Sequence, residues 1–418
     1  MARVREKLRS ASLYVVTFLK WAILATITGA VGGLIGTAFH KTVEAATELR
    51  SENTWVIMLL PLGGLVIAGM YKLAKINEDK GTNLIISSVR GTDKVPLAVA
   101  PLIFVSTAIT HLLGGSAGRE GAALQLGGSI GSQVGKIFKL NEKDMSLIIM
   151  SGMSGVFSAL FGTPLTAVFF AMEVISVGVI YYSGFIPCII SSLVAYKVSM
   201  MFHVSPVRFT LENTPGFCAE SVIKVSILAA LCAVVSIVFC VTMKQTAKLL
   251  TKYLKNSFVR IAIGGLIIII LTYIIGNQNY NGAGMNIVSK AIGGDANWYD
   301  FILKIVFTAI TIGAGFKGGE IVPTMFIGTT FGCVAAQLIG IDAGFGAAIG
   351  LIAVFCGVVN CPVASVFLSI ELFGAEGLIL FAVASGISYM LSGYYGLYSS
   401  QKIMYSKLRP EYINKNAK

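Results

Sequence analysis

Long apolar stretches most strongly constrain what this chain can fold into. Nine of them approach or exceed the length needed to cross the roughly 30 Å hydrocarbon core of a bilayer. They cover about residues 11–37, 55–75, 95–113, 145–182, 222–248, 257–276, 301–315, 321–359 and 361–396. Of the 418 residues, 55% are hydrophobic and only 12% are charged, far from the usage of a soluble domain. The chain is therefore predicted to be an all-α polytopic membrane protein.

The distribution of basic residues predicts the orientation of this protein in the membrane. The formal net charge of +12 would suggest a nucleic-acid partner for a soluble protein, but here lysine and arginine cluster at segment ends and at the termini. Because such residues favour the cytoplasmic side, residues 1–10 and 406–418 are expected to be cytoplasmic. We expect a multi-pass protein of the cell membrane with an even number of crossings and no nucleic-acid partner.

Cysteine and histidine usage argues against a metal or cofactor site. The seven cysteines lie mostly within apolar segments and form no CxxC motif, and the three histidines are spread along the chain. An intramembrane enzyme would need paired acids or a histidine and metal cluster. No such cluster and no HExxH motif occur in the sequence, so an enzyme is only a distant alternative and no cofactor is expected.

The two halves of the chain share three landmarks in the same order. They are GTNLI at 81–85 with GMNIV at 284–288, GREG at 118–121 with GGEI at 318–321, and TPLTAVFFAME at 163–173 with CPVASVFLSIE at 361–371. Matched order and spacing indicate an internal repeat, which is common in transporters. We predict transmembrane repeats at 11–202 and 222–405 joined by a linker at 203–221. If each half crosses an odd number of times, the second is inverted.

The glycine-rich stretch 114–131 contains the first candidate functional residues, Arg119 and Glu120. A charged side chain at a helix centre in lipid costs on the order of 2.5–3.5 kcal/mol even on lenient scales, so it usually faces an ion path. The glycines before Glu120 and before Pro323 are expected to open the chain at membrane depth. Helices starting near 120 and 322 would then direct their N–H groups at a shared centre, which attracts anions.

Glu120 is accordingly predicted to be a gate. An ionised carboxylate at a helix start fills the anion site itself, and on protonation it loses that attraction and can move away. Two alternatives remain open for this stretch. Arg119 and Glu120 could form a structural ion pair at a membrane boundary, and the glycines could serve only close helix packing. A dinucleotide fingerprint is disfavoured, because the glycine spacing and the βαβ context are both missing.

Several motifs together resemble the CLC chloride channel and transporter family across nearly the whole chain. They are GREGAALQLGG at 118–128, GFKGGEIVP at 315–323, the two proline-to-glutamate segments, and GLYSSQ at 396–401. The resemblance implies a CLC-type inverted repeat with many tilted and broken helices. It also implies a homodimer with one anion pathway per subunit, Glu120 as the external gating glutamate, and Tyr398 as the central tyrosine near the anion.

Departures from the usual family pattern resemble the fluoride-exporting CLC-F branch. Thr82 takes the usual serine position of the anion loop, and Glu320 stands where most members have an apolar residue. Val174 takes the place of the internal proton-transfer glutamate of chloride/proton antiporters. The resemblance thus implies a fluoride/proton antiporter in which Glu120 serves both sides of the membrane. A chloride channel or a chloride/proton exchanger of the same family remains the nearest alternative.

The anion path implied by this resemblance involves eight residues besides Glu120. They are Thr82, Asn83, Arg119, Gly121, Glu320, Ile321, Val322 and Tyr398. The fluoride branch typically has threonine at the position of Val322. The expected partners are fluoride or chloride, protons, the lipid bilayer and a second copy of the chain.

Glu320 and the matched pair Glu173 and Glu371 receive separate interpretations. A protonated carboxyl group is a strong hydrogen-bond donor, and fluoride is the most basic halide, so Glu320 would favour fluoride over chloride. The alternative is that Glu320 pairs with Lys317 at a surface. We interpret Glu173 and Glu371 as structural, since buried carboxylates usually persist only when they are hydrogen-bonded or paired.

Overall fold

Sixteen α-helices make up most of the chain in the computed structural model, which describes residues 2–76 and 80–418, with side chains from residue 12 onward. The first eight, α1 to α8, are Ala2–Glu52, Leu60–Leu73, Thr82–Val89, Val99–Leu112, Glu120–Ile137, Glu142–Phe161, Pro164–Glu173 and Phe185–Met201. The next eight, α9 to α16, are Ala219–Tyr253, Ser257–Ile275, Met285–Ile292, Asp300–Ala314, Ile321–Ile339, Ala343–Val359, Pro362–Phe373 and Leu378–Leu391.

The two sets of eight helices correspond in order and in length. The third helix of each set, α3 or α11, has 8 residues. The fifth helices, α5 and α13, have 18 and 19 residues, and the seventh, α7 and α15, have 10 and 12. Several of these helices are too short to cross a bilayer, which needs about 20 residues. The prediction of an all-α membrane fold built from broken helices is thus confirmed.

Helix lengths in the described part of the chain fit a membrane protein. Seven of these helical segments are long and apolar enough to cross a membrane, and five further apolar helices have 10–17 residues. Helix α1 extends without a break over 51 residues, so the apolar stretch predicted at 11–37 lies within one longer helix. A 3-10 turn over Thr54–Leu59 then leads into α2.

Small residues allow the central helices to pack with their backbones in contact. A methyl group added at Gly152 of α6 would fall far inside van der Waals contact with the carbonyl oxygen of Gly127 in α5. The same relation holds between Gly350 of α14 and Gly328 of α13. Both pairs agree with the close helix packing that was one interpretation of the glycine-rich stretch, and both bury the site helices in the protein interior.

Each of two glutamates caps a helix in the opposite half of the chain. The carboxylate of Glu173, at the end of α7, accepts hydrogen bonds from the backbone N–H groups of Val363 and Ala364 at 3.2 and 2.9 Å. Glu371 in α15 does the same for the first turn of α7. This reciprocal arrangement gives both carboxylates hydrogen-bond donors, as the structural interpretation expects.

The rings of Phe169 and Phe367 stack between the same two helices, 4.4 Å apart and nearly parallel at 3°. Each ring lies five residues after the proline that begins its helix. Matched residues that contact each other across a pair of helices indicate a pseudo-two-fold axis between the halves.

A three-stranded sheet is a departure from the predicted all-α fold. Its strands β1, β2 and β3 are Ser176–Val177, Lys402–Tyr405 and Tyr412–Asn416. Strand β1 pairs in parallel with β2, and β2 pairs antiparallel with β3. The C-terminal segment therefore folds back onto the helical body. Five residues or fewer per strand give too short a periodicity for sequence patterns to detect.

Candidate functional site

The two glycine loops that precede α5 and α13 pair with each other. The N–H of Gly118 donates to the carbonyl of Gly319 at 2.7 Å, and the N–H of Gly319 donates back at 2.7 Å. Glycine is required here, since a methyl group at Gly319 would collide with the backbone nitrogen of Gly121. The pairing brings together the starts of α5 and α13, as the repeat of GREG and GGEI predicted.

Glu120 begins α5 and is completely buried. Its Oε2 accepts a hydrogen bond from the backbone N–H of Arg119 at 2.9 Å. Its Oε1 lies 3.7 Å from Nε of Arg119 and has no hydrogen-bond partner. The ion pair that was the alternative interpretation thus forms through Oε1, but this oxygen accepts no hydrogen bond. A carboxylate at this position occupies the anion-attracting start of its own helix.

Glu320, Thr82 and Gly121 meet beside the paired loops. A methyl group at Gly121 would stand 3.3 Å from Oε2 of Glu320 and 3.4 Å from Oγ1 of Thr82. The Thr82 hydroxyl itself donates to the carbonyl of Gly121 at 3.3 Å. Lys317 is the residue considered above as an alternative partner of Glu320. Its ammonium lies above the ring of Tyr71, 4.5 Å from the ring centroid. Glu320 therefore faces the start of α5, where three helices converge.

Tyr398 completes the polar centre from the C-terminal side of the chain. It is 2% exposed, and its hydroxyl has no hydrogen-bond partner. Glu320 and Glu120 are both close enough to act on it electrostatically. A buried hydroxyl without a partner is costly, so such a group indicates a place for a ligand or water.

Asn83 holds the loop of Tyr398 against α3. Its Oδ1 accepts hydrogen bonds from the backbone N–H of Ser400 at 2.8 Å and from the hydroxyl of Ser399 at 3.4 Å. The family resemblance implied that Asn83 lines the anion path. Its side-chain oxygen is engaged by the loop, so Asn83 also positions Tyr398.

Ile321 and Val322 provide the first two residues of α13, and both are buried. The first N–H groups of a helix have no intrahelical acceptor, so they remain available to an anion. Val322 also lies against Gly118, where a methyl group would stand 3.0 Å from its Cβ. These backbone donors are the contribution of the predicted residues Ile321 and Val322.

Gln125 belongs to the same centre and was not among the predicted residues. Its side-chain amide donates to the carbonyl of Gly121 at 3.3 Å, while its Oε1 is buried without a partner. It lies four residues after Gly121, about one helical turn. Helical periodicity applied to α5 would have identified it.

An open cavity of about 960 Å³ leads from the protein surface to Glu120. Its walls come from the C-terminal ends of α1 and α10, the turn at 276–284 and α4. Arg119 and Val322 line its inner end, so the cavity reaches the starts of both site helices. It lies at the opposite end of α1 from the basic N-terminus. We call this cavity the vestibule.

Buried helix starts, a carboxylate oxygen and a phenol hydroxyl that form no hydrogen bond, and an open vestibule together make up a candidate anion site. The comparison with protein families agrees, because the model of the voltage gated chloride channel family matches residues 63–393. The chain belongs to this family, the CLC channels and transporters. Its members include channels and transporters.

Similar proteins resemble the chain over most of its length. A chloride/fluoride channel protein of Pseudomonas syringae pv. tomato is 32% identical over 395 residues, which cover 93% of this chain and 87% of that protein. The crystal structure of a CLC-type fluoride/proton antiporter is 29% identical, with a TM-score of 0.89 over 92% of this chain and 98% of that one. A slow cyanobacterial Cl⁻/H⁺ antiporter, 20% identical with a TM-score of 0.77 over 89% and 94%, shares the fold.

Proposed function

We propose that this protein exports fluoride across the cell membrane in exchange for protons, with Glu120 as both gate and proton carrier. The observation that carries the proposal is the presence of two glutamates, Glu120 and Glu320, at the adjoining starts of α5 and α13. The similarity to a chloride/fluoride channel protein and to a fluoride/proton antiporter supports it. Chloride is the alternative anion.

The gate follows from competition for one anion position. While ionised, Glu120 occupies the start of α5 and excludes an anion from it. Once protonated, the carboxyl group is no longer held there and moves out with its proton. An anion can then be bound by the free N–H groups of the helix starts and by the Tyr398 hydroxyl. Because Val174 provides no carboxylate, we assign proton exchange on both sides to Glu120.

Glu320 is proposed to set the preference for fluoride. As an ionised carboxylate it would repel an anion beside Gly121, so it holds a proton when an anion is bound. The resulting O–H group donates a hydrogen bond, and the most basic halide accepts it best. Chloride, a weaker acceptor, gains less from the same donor, so binding favours fluoride.

A chloride-conducting channel is the second candidate. The name of the relative from Pseudomonas syringae describes a chloride/fluoride channel, and Val174 removes the internal carboxylate of the chloride/proton antiporters. In that case Glu120 would gate passive flow without proton exchange. Proton movement driven by an anion gradient distinguishes the two candidates.

Flux from liposomes that contain the purified full-length protein tests the proposal. Vesicles are loaded with sodium fluoride or sodium chloride, and a fluoride or chloride electrode and an enclosed pH dye record anion efflux and proton uptake together. We expect fluoride efflux to drive proton uptake against a proton gradient. Glu120→Ala should abolish proton uptake, whereas Glu376→Gln, at an exposed glutamate, should behave as the wild type.

Glu320 variants test selectivity in the same vesicles. Glu320→Ala should lose most of the preference for fluoride, and Glu320→Gln should retain part of it because an amide still donates hydrogen bonds. Unchanged selectivity in both variants would refute the role of Glu320. Fluoride efflux without proton uptake in the wild type would instead identify a channel.

Assembly and topology remain part of this proposal. We propose a homodimer with one pathway per subunit, both termini cytoplasmic, and repeats at 11–202 and 222–405 around the linker 203–221. The Lys20 ammonium lies 2.5 Å from Asp144, a contact that supports placing the start of α6 on the same membrane side as the basic N-terminus. The vestibule then opens to the outside, where exported fluoride leaves.

A further inference from the structure

Arg50 is a buried cation at the wall of the vestibule that the proposed transport cycle does not use. It lies in the last turn of α1 and is 8% exposed. Its Nε and Nη1 have no hydrogen-bond partner, and it forms no ion pair with any residue of the described chain. Burial of an arginine without a partner is strongly unfavourable.

A second buried basic side chain lies next to Arg50. Lys304 of α12 is completely buried, and its Nζ donates to the carbonyls of Gly282 and Tyr280 at 2.7 and 3.1 Å. Gly282 also packs against Arg50, since a methyl group there would stand 2.9 Å from Nη2. Its φ of 57° and this contact both require glycine. Two basic side chains therefore flank one turn.

The acidic groups nearby have other partners or positions. Asp300, one turn before Lys304, accepts a hydrogen bond from the Tyr280 hydroxyl at 2.5 Å. Glu44 and Glu48 line the vestibule from exposed positions on α1, and Glu44 lies 3.6 Å from His40. None of these carboxylates forms an ion pair with Arg50.

The turn at 276–284 and α4 contribute other polar groups to the vestibule wall near Arg50. His111 is 1% exposed, and neither of its ring nitrogens forms a hydrogen bond. Asn281, also in the wall, uses its amide to hold the carbonyl of Gly114 at 2.8 Å. Guanidinium donors without a hydrogen-bond partner at the wall of an open vestibule are groups to which an anion can bind.

We propose that Arg50 forms a second anion-binding site, in the vestibule wall, which holds a small inorganic anion outside the gate formed by Glu120. The anion supplies the negative charge that Arg50 lacks. This inference rests on the proposed function only in naming fluoride as the physiological anion. The site would receive fluoride released past Glu120 before it leaves through the vestibule.

Calorimetric titration of sodium fluoride into the purified full-length protein tests the inference. The wild type should bind one more fluoride per chain than Arg50→Met. Arg50→Lys should keep this site with an affinity roughly tenfold weaker, because the charge remains but the guanidinium donors are lost. Arg208→Met removes an exposed arginine from the linker and should bind as the wild type does.

Fluoride flux provides a second readout. Arg50→Met should slow efflux by about three- to tenfold at low ionic strength, and added salt should reduce the difference by screening. The number of protons exchanged per fluoride should not change. Equal fluoride stoichiometry in the wild type and in Arg50→Met overturns the inference. If Arg50→Met does not fold, unchanged affinity in Arg50→Lys overturns it.

Failure of the transport proposal has a different outcome from failure of this site. If the wild type moves no protons with fluoride but Arg50→Met still loses one bound fluoride, only the antiport proposal fails. If antiport occurs and the bound fluoride persists in Arg50→Met, only the vestibule site fails.

Discussion

Replacement of Glu371 by alanine should destabilise the protein severely, because three donors lose their acceptor at once. Its carboxylate accepts hydrogen bonds from the backbone N–H of Leu165 at 2.9 Å and from that of Thr166 at 2.8 Å. The Thr166 hydroxyl adds a third at 2.6 Å. These donors are the start of α7, and in the membrane interior few other acceptors can reach them.

The magnitude follows from the number of donors left unpaired. Each buried donor without an acceptor costs about 1–3 kcal/mol. The hydroxyl can rotate to another acceptor, which leaves two N–H groups. The loss of the negative charge at a helix start adds up to about 2 kcal/mol. We therefore expect Glu371→Ala to lower the free energy of unfolding by about 2–8 kcal/mol, and Glu371→Gln by roughly half as much.

Glu173 offers an internal comparison across the repeat. It accepts two backbone hydrogen bonds, at 3.2 and 2.9 Å, and no hydroxyl. Glu173→Ala should consequently cost somewhat less than Glu371→Ala. Glu376 is exposed, so Glu376→Ala serves as the control and should change the free energy of unfolding by less than about 0.5 kcal/mol.

Thermal unfolding of the purified protein in detergent measures this order. The midpoint should fall most for Glu371→Ala, less for Glu173→Ala and hardly at all for Glu376→Ala. Proton exchange by the glutamine variants that fold should keep the wild-type ratio. Midpoints of Glu371→Ala and Glu376→Ala that coincide would refute the capping argument. A lost proton ratio at an unchanged midpoint would assign Glu371 to proton transfer instead.

Two further predictions concern helix packing and the C-terminal segment. Gly152→Ala should prevent α6 from approaching Gly127 and lower the yield of folded protein in gel filtration, whereas Gly386→Ala, with no atom within 4 Å of the added methyl, should not; equal yields would contradict the packing argument. Burial lowers the pKa of Lys407 from 10.5 to about 8. Burial of the charged ammonium therefore destabilises the folded C-terminal segment fully below pH 8, and this segment becomes more stable as the pH rises to about 10.5. Hydrogen-exchange protection of β3, corrected for intrinsic rates, should rise by up to about tenfold between pH 8 and 10.5; protection that falls over this range would contradict the effect assigned to Lys407.

Motif spacing predicted which parts of the chain approach one another. The match of GREG with GGEI indicated that the starts of α5 and α13 share a centre, and the backbone pairing of Gly118 with Gly319 agrees. The matched positions of Glu173 and Glu371 indicated a common structural role, and each caps a helix of the other half. Repeats made these inferences possible, since two copies of a unit must meet symmetrically.

Contacts between distant segments could not be read from spacing. The family resemblance implied that Asn83 lines the anion path. It gave no indication that the Asn83 side-chain oxygen accepts a hydrogen bond from the backbone N–H of Ser400, near the other end of the chain. The partners of a polar side chain depend on which segment packs against it, and local patterns do not record this.

The sequence by itself determined the membrane class, the repeat, and the residue types at the two helix starts, because hydropathy and motif spacing are properties of consecutive residues. Tertiary structure alone decided which buried polar groups form no hydrogen bond. They include Oε1 of Glu120, the hydroxyl of Tyr398, and Nε and Nη1 of Arg50. Whether a donor or acceptor is satisfied depends on atoms from several helices at once. The vestibule and its buried arginine therefore became visible only when α1, α4, α10 and α12 were assembled around them.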